Sequence, residues 1–202
     1  MITRVEDGGT LELVPRFLDQ DAADRAFAAL RDEIPWETRS IRIMGKVIPQ
    51  PRLVAYFADP GAQYTYSGLT LDAAPMPPLV TALRRSIERH TGERFNAVLL
   101  NLYRDGDDSM GMHADDEPEL GKNPVIASLS LGETRTFKLR HVRDKAAKHD
   151  LPLAHGDLLV MGGTLQHFFR HGVAKVARGR VGHGDPVGPR INLTFRWIAP
   201  RA

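Results

Sequence analysis

The segment Arg190-Ile-Asn-Leu-Thr-Phe-Arg196 alternates polar and apolar residues without a break. Successive side chains of an extended strand point to opposite faces, so Arg190, Asn192, Thr194 and Arg196 share one face, and Ile191, Leu193, Phe195 and Trp197 the other. If the polar face looks at water, this is an ordinary surface strand. If it looks into a closed β structure, two guanidiniums are buried and need anionic partners, because unpaired buried charge is costly. Arginine at both positions favours a planar, bidentate hold on carboxylates that lysine cannot match. A five-carbon dicarboxylate would supply both partners. The stretch Ala97-Val-Leu-Leu-Asn101-Leu-Tyr103 repeats the device, with Asn101 and Tyr103 spaced i, i+2 on an otherwise apolar strand, where they would complete the same pocket.

A second constellation stands between these strands. His113-x-Asp115 on one extended strand would project a histidine and a carboxylate to the same side, and His171, much later in the chain, could add a third ligand. Two histidines and one carboxylate on one face leave half of an octahedron open, an arrangement suited to non-haem Fe(II) that shares the metal with dioxygen and substrate. Alone, H-x-D is a common tripeptide, and by itself it reads first as a surface-strand histidine. His167 precedes His171 by one helical turn, and on a helix the two would share a face, so it competes as the third ligand. His141, His149, His155 and His183 read as structural or surface residues.

The rest of the chain predicts a mainly β fold with flanking helices. Asp19 is placed to cap a helix through about Arg31, with Ala23, Phe27 and Leu30 on one face and Pro35 beyond its end. Residues 36–68 read as strands and turns. A second helix starts at Pro78, carries Leu79, Val80, Leu83 and Ile87 on one stripe, and ends at Gly92. Strands follow near 95–103, 124–131, 134–141, 157–162 and 190–198, with Gly132-Glu133 expected to make a tight hairpin. Many strands after two helices favour a double-stranded β-helix, a form of jelly-roll, over an α/β sheet. The 202 residues suit one domain, with about 1–92 as N-terminal helices and a lid, and about 93–202 as the core. The stretch from Gly179 to Pro189 reads as a loop.

Composition constrains the setting. The chain has no cysteine, so neither disulfides nor thiolate ligands are available. No apolar run of about 18 residues is present and the first residues lack a signal peptide's apolar stretch, so a cytoplasmic protein without a membrane partner is expected. A formal charge of +2 says little, but its distribution is uneven. Arg135, Lys138, Arg140, Arg143, Lys145 and Lys148 face one acid, Asp144, and Arg170, Lys175, Arg178 and Arg180 follow; acids instead crowd the region from Asp105 to Glu119. Such bases could contact nucleic-acid phosphates, or could be solvated loops.

Together, Asn101-Leu-Tyr103, His113-x-Asp115-Asp116-Glu117, Ile126-Ala-Ser-Leu-Ser-Leu-Gly132, Leu153-Ala-His-Gly-Asp-Leu-Leu159, His171 and Pro189-Arg190-Ile-Asn192-Leu-Thr-Phe-Arg196 resemble the AlkB family of Fe(II)- and 2-oxoglutarate-dependent dioxygenases. Pro49-Gln-Pro-Arg52 and Tyr64-Thr-Tyr66-Ser-Gly68 resemble that family's nucleotide-recognition region, and the match spans about residues 40–198. The resemblance implies oxidative demethylation of N-alkylated bases such as 1-methyladenine and 3-methylcytosine in single- or double-stranded DNA. In it, O2 is consumed, 2-oxoglutarate gives succinate and CO2, and formaldehyde is released. It further implies His113, Asp115 and His171 as iron ligands, and Asn101, Tyr103, Arg190, Asn192 and Arg196 as the cosubstrate set. Tyr64 and Tyr66 would serve at a flipped base, with Tyr66 stacking on it, Asp116 and Glu117 at its exocyclic edge, and Met44 as a wedge. Ala174 stands where relatives often carry proline. An oxygenase acting on RNA or on a protein side chain, a cupin-like metal hydrolase or isomerase, and a non-catalytic nucleic-acid-binding module are the competing readings. A monomer is the simplest state.

Overall fold

A computed structural model describes residues 2–43, 46–62, 64–66, 69–71, 74–176 and 187–199; for 41–43, 46, 64–66 and 69–71 it describes the backbone alone. The strands are β1 (Ile2–Arg4), β2 (Gly9–Val14), β3 (Glu37–Ile43), β4 (Lys46–Ala58), β5 (Tyr64–Tyr66), β6 (Leu69–Leu71), β7 (Ala97–Tyr103), β8 (Met110–His113), β9 (Ile126–Gly132), β10 (Arg135–His141), β11 (Lys148–Leu153), β12 (Leu158–Gly163), β13 (Phe169–Val173) and β14 (Arg190–Arg196). The helices are α1 (Gln20–Glu33), α2 (Pro78–Thr91) and the single turn α3 (Leu165–Phe168). An eight-stranded sheet runs β1-β2-β12-β9-β14-β7-β4-β3, and a four-stranded sheet runs β11-β10-β13-β8. All pairings within both sheets are antiparallel. The expected jelly-roll core with flanking helices is therefore observed.

Strand alternation explains how the layers assemble. Ile191, Leu193 and Phe195 of β14, with Val98, Leu100 and Leu129 of its neighbours, pack against Ala23, Ala26 and Leu30 of α1 and Val80, Leu83 and Ile87 of α2. The helices thus cover the outer face of the large sheet. On its inner face Tyr103, Ile126, Leu159 and Met161 meet Phe137, Leu139, Phe169 and Val173 of the small sheet. Asp19 caps α1, its carboxylate accepting from Ala22 N at 2.8 Å, and Gly92 ends α2 in the left-handed region at φ +74°.

Several expectations need correction. Gly132 has positive φ as anticipated, +86°, but β9 and β10 do not pair with each other. The chain turns a corner there from the large sheet into the small one, so this is not a hairpin. Trp197 lies beyond β14 and is half exposed, outside the core face assigned to it. Three strands were missed: β1 and β2, which pair with each other and through β2 along β12, and β11, which pairs along β10. Strands from before residue 92 therefore enter the same large sheet as those after it.

The corner leaves no room for a side chain. A Cβ on Gly132 would collide with the Pro189 carbonyl oxygen and lie 2.7 Å from the Phe27 ring, at a φ that L residues resist. Gly132→Ala is therefore expected to destabilise the protein by about 2 kcal/mol or more in urea unfolding; a loss under about 0.5 kcal/mol would contradict this reading of the corner.

Candidate metal and dicarboxylate site

Register, not loop geometry, brings the two histidines together. His113 ends β8 and pairs with His171 in β13, placing their ring centroids 4.3 Å apart. Asp115 is not on that strand, contrary to the one-strand reading of the tripeptide: β8 ends at His113, so alternation no longer sets the direction of Asp115. Two other elements fix it. Its backbone N donates to Gln166 Oε1 of α3 at 3.0 Å, and its Oδ2 accepts from Arg196 Nη2 at 2.8 Å and Nε at 3.3 Å. His113 Nε2 is then 3.6 Å from Asp115 Oδ1, and His171 Nε2 is 3.9 Å from Oδ2. One donor atom from each of the three residues lies within 4.8 Å of the others.

The donor set fits a divalent cation. Burial alone would raise the Asp115 carboxyl, but Arg196, then His113 and His171, overcome it and hold the group well below the usual carboxylate range. Burial, reinforced by His113 and Arg196, pushes the His171 imidazole down to about 3 despite Asp115. The site therefore presents an ionised carboxylate and a neutral imidazole, the forms that bind metal. His113 Nδ1 lies 3.0 Å from the Gly111 carbonyl, which makes Nδ1 the protonated nitrogen and leaves the Nε2 lone pair for a ligand role. Asp115 Oδ1 and His171 Nδ1 are buried without a hydrogen-bond partner.

The predicted dicarboxylate set lines an adjoining cavity with the histidines. Arg190, 1% exposed, donates from Nη2 to Ser130 Oγ at 2.9 Å, while its Nε and Nη1 have no hydrogen-bond partner. A carboxylate would complete that fork. The Tyr103 ring lies 5.3 Å from the Arg190 guanidinium carbon. Asn101 Oδ1 accepts from the buried Arg52 Nε at 2.7 Å, which orients the amide so that its NH2 is the end left to offer. Asn192 is occupied: its Nδ2 donates to Ser128 Oγ at 2.7 Å and to the Leu129 carbonyl at 3.1 Å, and its Oδ1 accepts from Thr194. It organises the floor.

The remaining expectations divide. Arg135, counted among the phosphate-facing bases, is buried and donates to the carbonyls of Asp105, Asp108 and Ala174, because alternation along β10 turns it inward with Phe137 and Leu139. Arg143, Lys145, Lys148 and Arg170 are exposed. Asp116 is exposed beside the triad, and Glu117 is half-buried and precedes a short turn at Pro118–Leu120. The backbone of β5 carries Tyr64 and Tyr66; their side chains, like Met44, Arg178, Arg180 and His183, lie outside the described residues. His167 sits on α3, its Nε2 3.0 Å from Asn123 Oδ1, apart from the triad. His141 and His149 contact Asp7 and Glu6, and His155 accepts from Gly132 N, as structural residues. Sequence reasoning missed Gln166, Ser128 and Ser130, and it assigned Arg52 to base recognition instead of to the support of Asn101. Only the i, i+2 spacing of the two serines on β9 could have signalled the pair.

His171→Ala is expected to abolish stoichiometric binding of Fe(II) or Co(II) in an anaerobic titration, and His167→Ala to leave it unchanged. The reverse pattern would move the ligand assignment to His167.

Comparison with known proteins agrees with this geometry. Residues 10–196 match the model of the 2OG-Fe(II) oxygenase superfamily. The chain is 40% identical over 197 residues to alpha-ketoglutarate-dependent dioxygenase alkB homolog 3 of Bos taurus, covering 93% of this chain. It spans 66% of that relative's length, just under two thirds. It is 38% identical over 187 residues to the DNA oxidative demethylase ALKBH2 of Homo sapiens, covering 87% of this chain and 69% of that protein. The solved structure of OsALKBH1 superimposes with a TM-score of 0.60 at 23% identity, over 92% of this chain and 97% of that one, a likeness of fold. The buried triad, the arginine-floored cavity and the matched domain have one common explanation: the chain belongs to the 2OG-Fe(II) oxygenase superfamily.

Proposed function

We propose that the chain is a DNA oxidative demethylase. It reverses N-alkylation such as 1-methyladenine and 3-methylcytosine directly, converting 2-oxoglutarate and O2 to succinate and CO2 and releasing the methyl carbon as formaldehyde. The observation that carries this reading is the cluster of half-buried His113 with buried Asp115 and His171 beside an Arg190 guanidinium with open donors. The substrate class follows from relatives near 40% identity, one of them named a DNA oxidative demethylase. Bound iron and 2-oxoglutarate would supply the activation of dioxygen.

The chain's own residues do the rest. His113, Asp115 and His171 would hold the iron. Arg190 would take a carboxylate of the cosubstrate through Nε and Nη1, with the Asn101 NH2 and the Tyr103 hydroxyl beside it. Arg196 acts at the metal end through Asp115, and Asn192 keeps the serines of β9 in place. A methylated base must leave the stack to reach the metal. Tyr66, with Tyr64 beside it in β5, would stack on that base opposite His113; Asp116 and Glu117 would meet its cationic edge, and Met44 would fill the gap it leaves. Residues up to about 92 would carry the recognition part, while their strands β1 to β4 also join the large sheet of the catalytic core that the later residues complete. Arg143, Lys145, Lys148 and Arg170 are free to meet phosphates, which makes binding salt-sensitive. The working unit is a cytoplasmic monomer.

The decisive assay measures succinate and formaldehyde from 2-oxoglutarate and Fe(II) with oligonucleotides carrying 1-methyladenine or 3-methylcytosine, as single- and double-stranded DNA and as RNA. DNA-dependent release of both products is expected. Succinate formation indifferent to any methylated DNA would overturn the substrate assignment, and none under any condition would overturn the enzyme reading. Arg190→Met is expected to raise KM for 2-oxoglutarate by about 100-fold, through loss of a charge-assisted bidentate contact.

A further inference from the structure

Arg135 plays no part in the site described so far, although it is among the largest fully buried side chains. Its Nη1 donates to the Asp105 carbonyl at 3.0 Å, and its Nη2 to the carbonyls of Asp108 at 2.9 Å and Ala174 at 2.7 Å. These oxygens belong to the turn that leads from β7, with Asn101 and Tyr103, to β8, with His113, and to the segment that follows β13, with His171. One guanidinium thus joins the exits of the strands that carry both halves of the site. It also lies 5.7 Å from the Tyr103 ring centroid, and Arg190 lies 5.3 Å from the same ring. Two buried cations therefore share one aromatic ring. The charge of Arg135 pulls the Arg190 pKa in the same downward direction as burial does, so the two are coupled electrostatically.

Neutral hydrogen bonds to carbonyls would be served by an uncharged donor. A permanent cation placed here has a further consequence, because its field in a buried site is screened less than in water, although Asp108, Asp105 and Glu133 offset part of its charge. Two adjacent guanidiniums repel each other until an anion arrives, and a carboxylate at Arg190 feels both charges. Arg135 does not line the cavity, so its influence passes through Tyr103 and Arg190.

We propose that Arg135 is a positioning residue of the cosubstrate site, supplying a second positive charge behind Tyr103 that selects a 2-oxo acid with a distal carboxylate. This rests on the reading of the cavity as a 2-oxoglutarate site. It predicts a discrimination that packing alone does not produce, since only the distal carboxylate meets the Tyr103 end of the pocket.

The test is isothermal titration of the Mn(II)-loaded protein, without turnover, using 2-oxoglutarate and 2-oxovalerate, which lacks the distal carboxylate. Wild type should bind 2-oxoglutarate far more tightly, and failure of that control would remove the underlying site reading instead of this proposal. Arg135→Gln is expected to weaken 2-oxoglutarate about 10-fold and 2-oxovalerate less than 2-fold, with Mn(II) affinity unchanged. Equal losses for both acids, or none for either, would overturn the proposal. Should Arg135→Gln fail to fold, Arg135→Lys decides by the same ratio. Lysine loses the fork to three carbonyls but keeps a charge, so a lowered Tm with the affinity for 2-oxoglutarate and its preference over 2-oxovalerate both retained within 3-fold supports the proposal. Loss of the preference by 10-fold or more despite the retained charge, or equal weakening of both acids by 10-fold or more, overturns it.

Discussion

The contact between Arg196 and Asp115 is the one on which the site depends. It joins the last residue of the central strand β14 in the large sheet to a carboxylate just beyond β8 in the small sheet. The histidines need no such help, since a single register pair in the small sheet brings them together. Asp115 has no strand to aim it, and its full burial would favour a neutral acid without a cation beside it. A buried ion pair of this kind adds little net stability, because desolvation cancels most of the attraction, yet losing one partner leaves a charge stranded. Its value here is positional. The triad is complete only when the two sheets have closed on one another.

That dependence separates what the sequence could reveal from what it could not. Residues whose direction follows from local alternation were legible: the two faces of β14, the pair Asn101 and Tyr103 on β7, and the apolar stripes of α1 and α2 all lie as the pattern requires. Residues positioned by a distant segment were not. Asp115 was assigned to the histidine's strand because i, i+2 spacing suggested it, whereas Gln166 and Arg196 place it. No local pattern marks Gln166, a buried amide in a single helical turn. Gly132 announced a turn correctly but not which sheet the chain would enter, since that depends on pairing with partners far away in sequence.

Arg135 shows the same limit from the other side. Counting charges along residues 135–148 produces a basic run, but a linear count takes no account of the strand's two faces. Applied to β10, alternation places Arg135 with Phe137 and Leu139 on the inner face and Lys138 and Arg140 on the other. The inward group spends its donors on three backbone carbonyls. The outward and loop residues keep the solvated character that phosphate contacts require.

Viewed as electrostatics, the interior is unbalanced. Arg52, Arg135, Arg190 and Arg196 are all buried around one cavity or its walls, and the carboxylate among them that contacts a guanidinium of this group is Asp115, which pairs with Arg196. Arg52 and Arg135 spend donors on carbonyls and an amide, and the charge of Arg135 is offset in part by Asp108, Asp105 and Glu133, while its Nε keeps no hydrogen-bond partner. Arg190 is left with open donors as well as an uncompensated charge. A fold that buries such a surplus holds stability in reserve until an anion enters, since the unpaired cations are costly alone and favourable once matched. A divalent metal held by Asp115 and the two histidines would add still more positive charge beside the cavity. The ligand that resolves both ends at once carries a negative group at each, spaced by a short chain, which is the chemistry of a dicarboxylate.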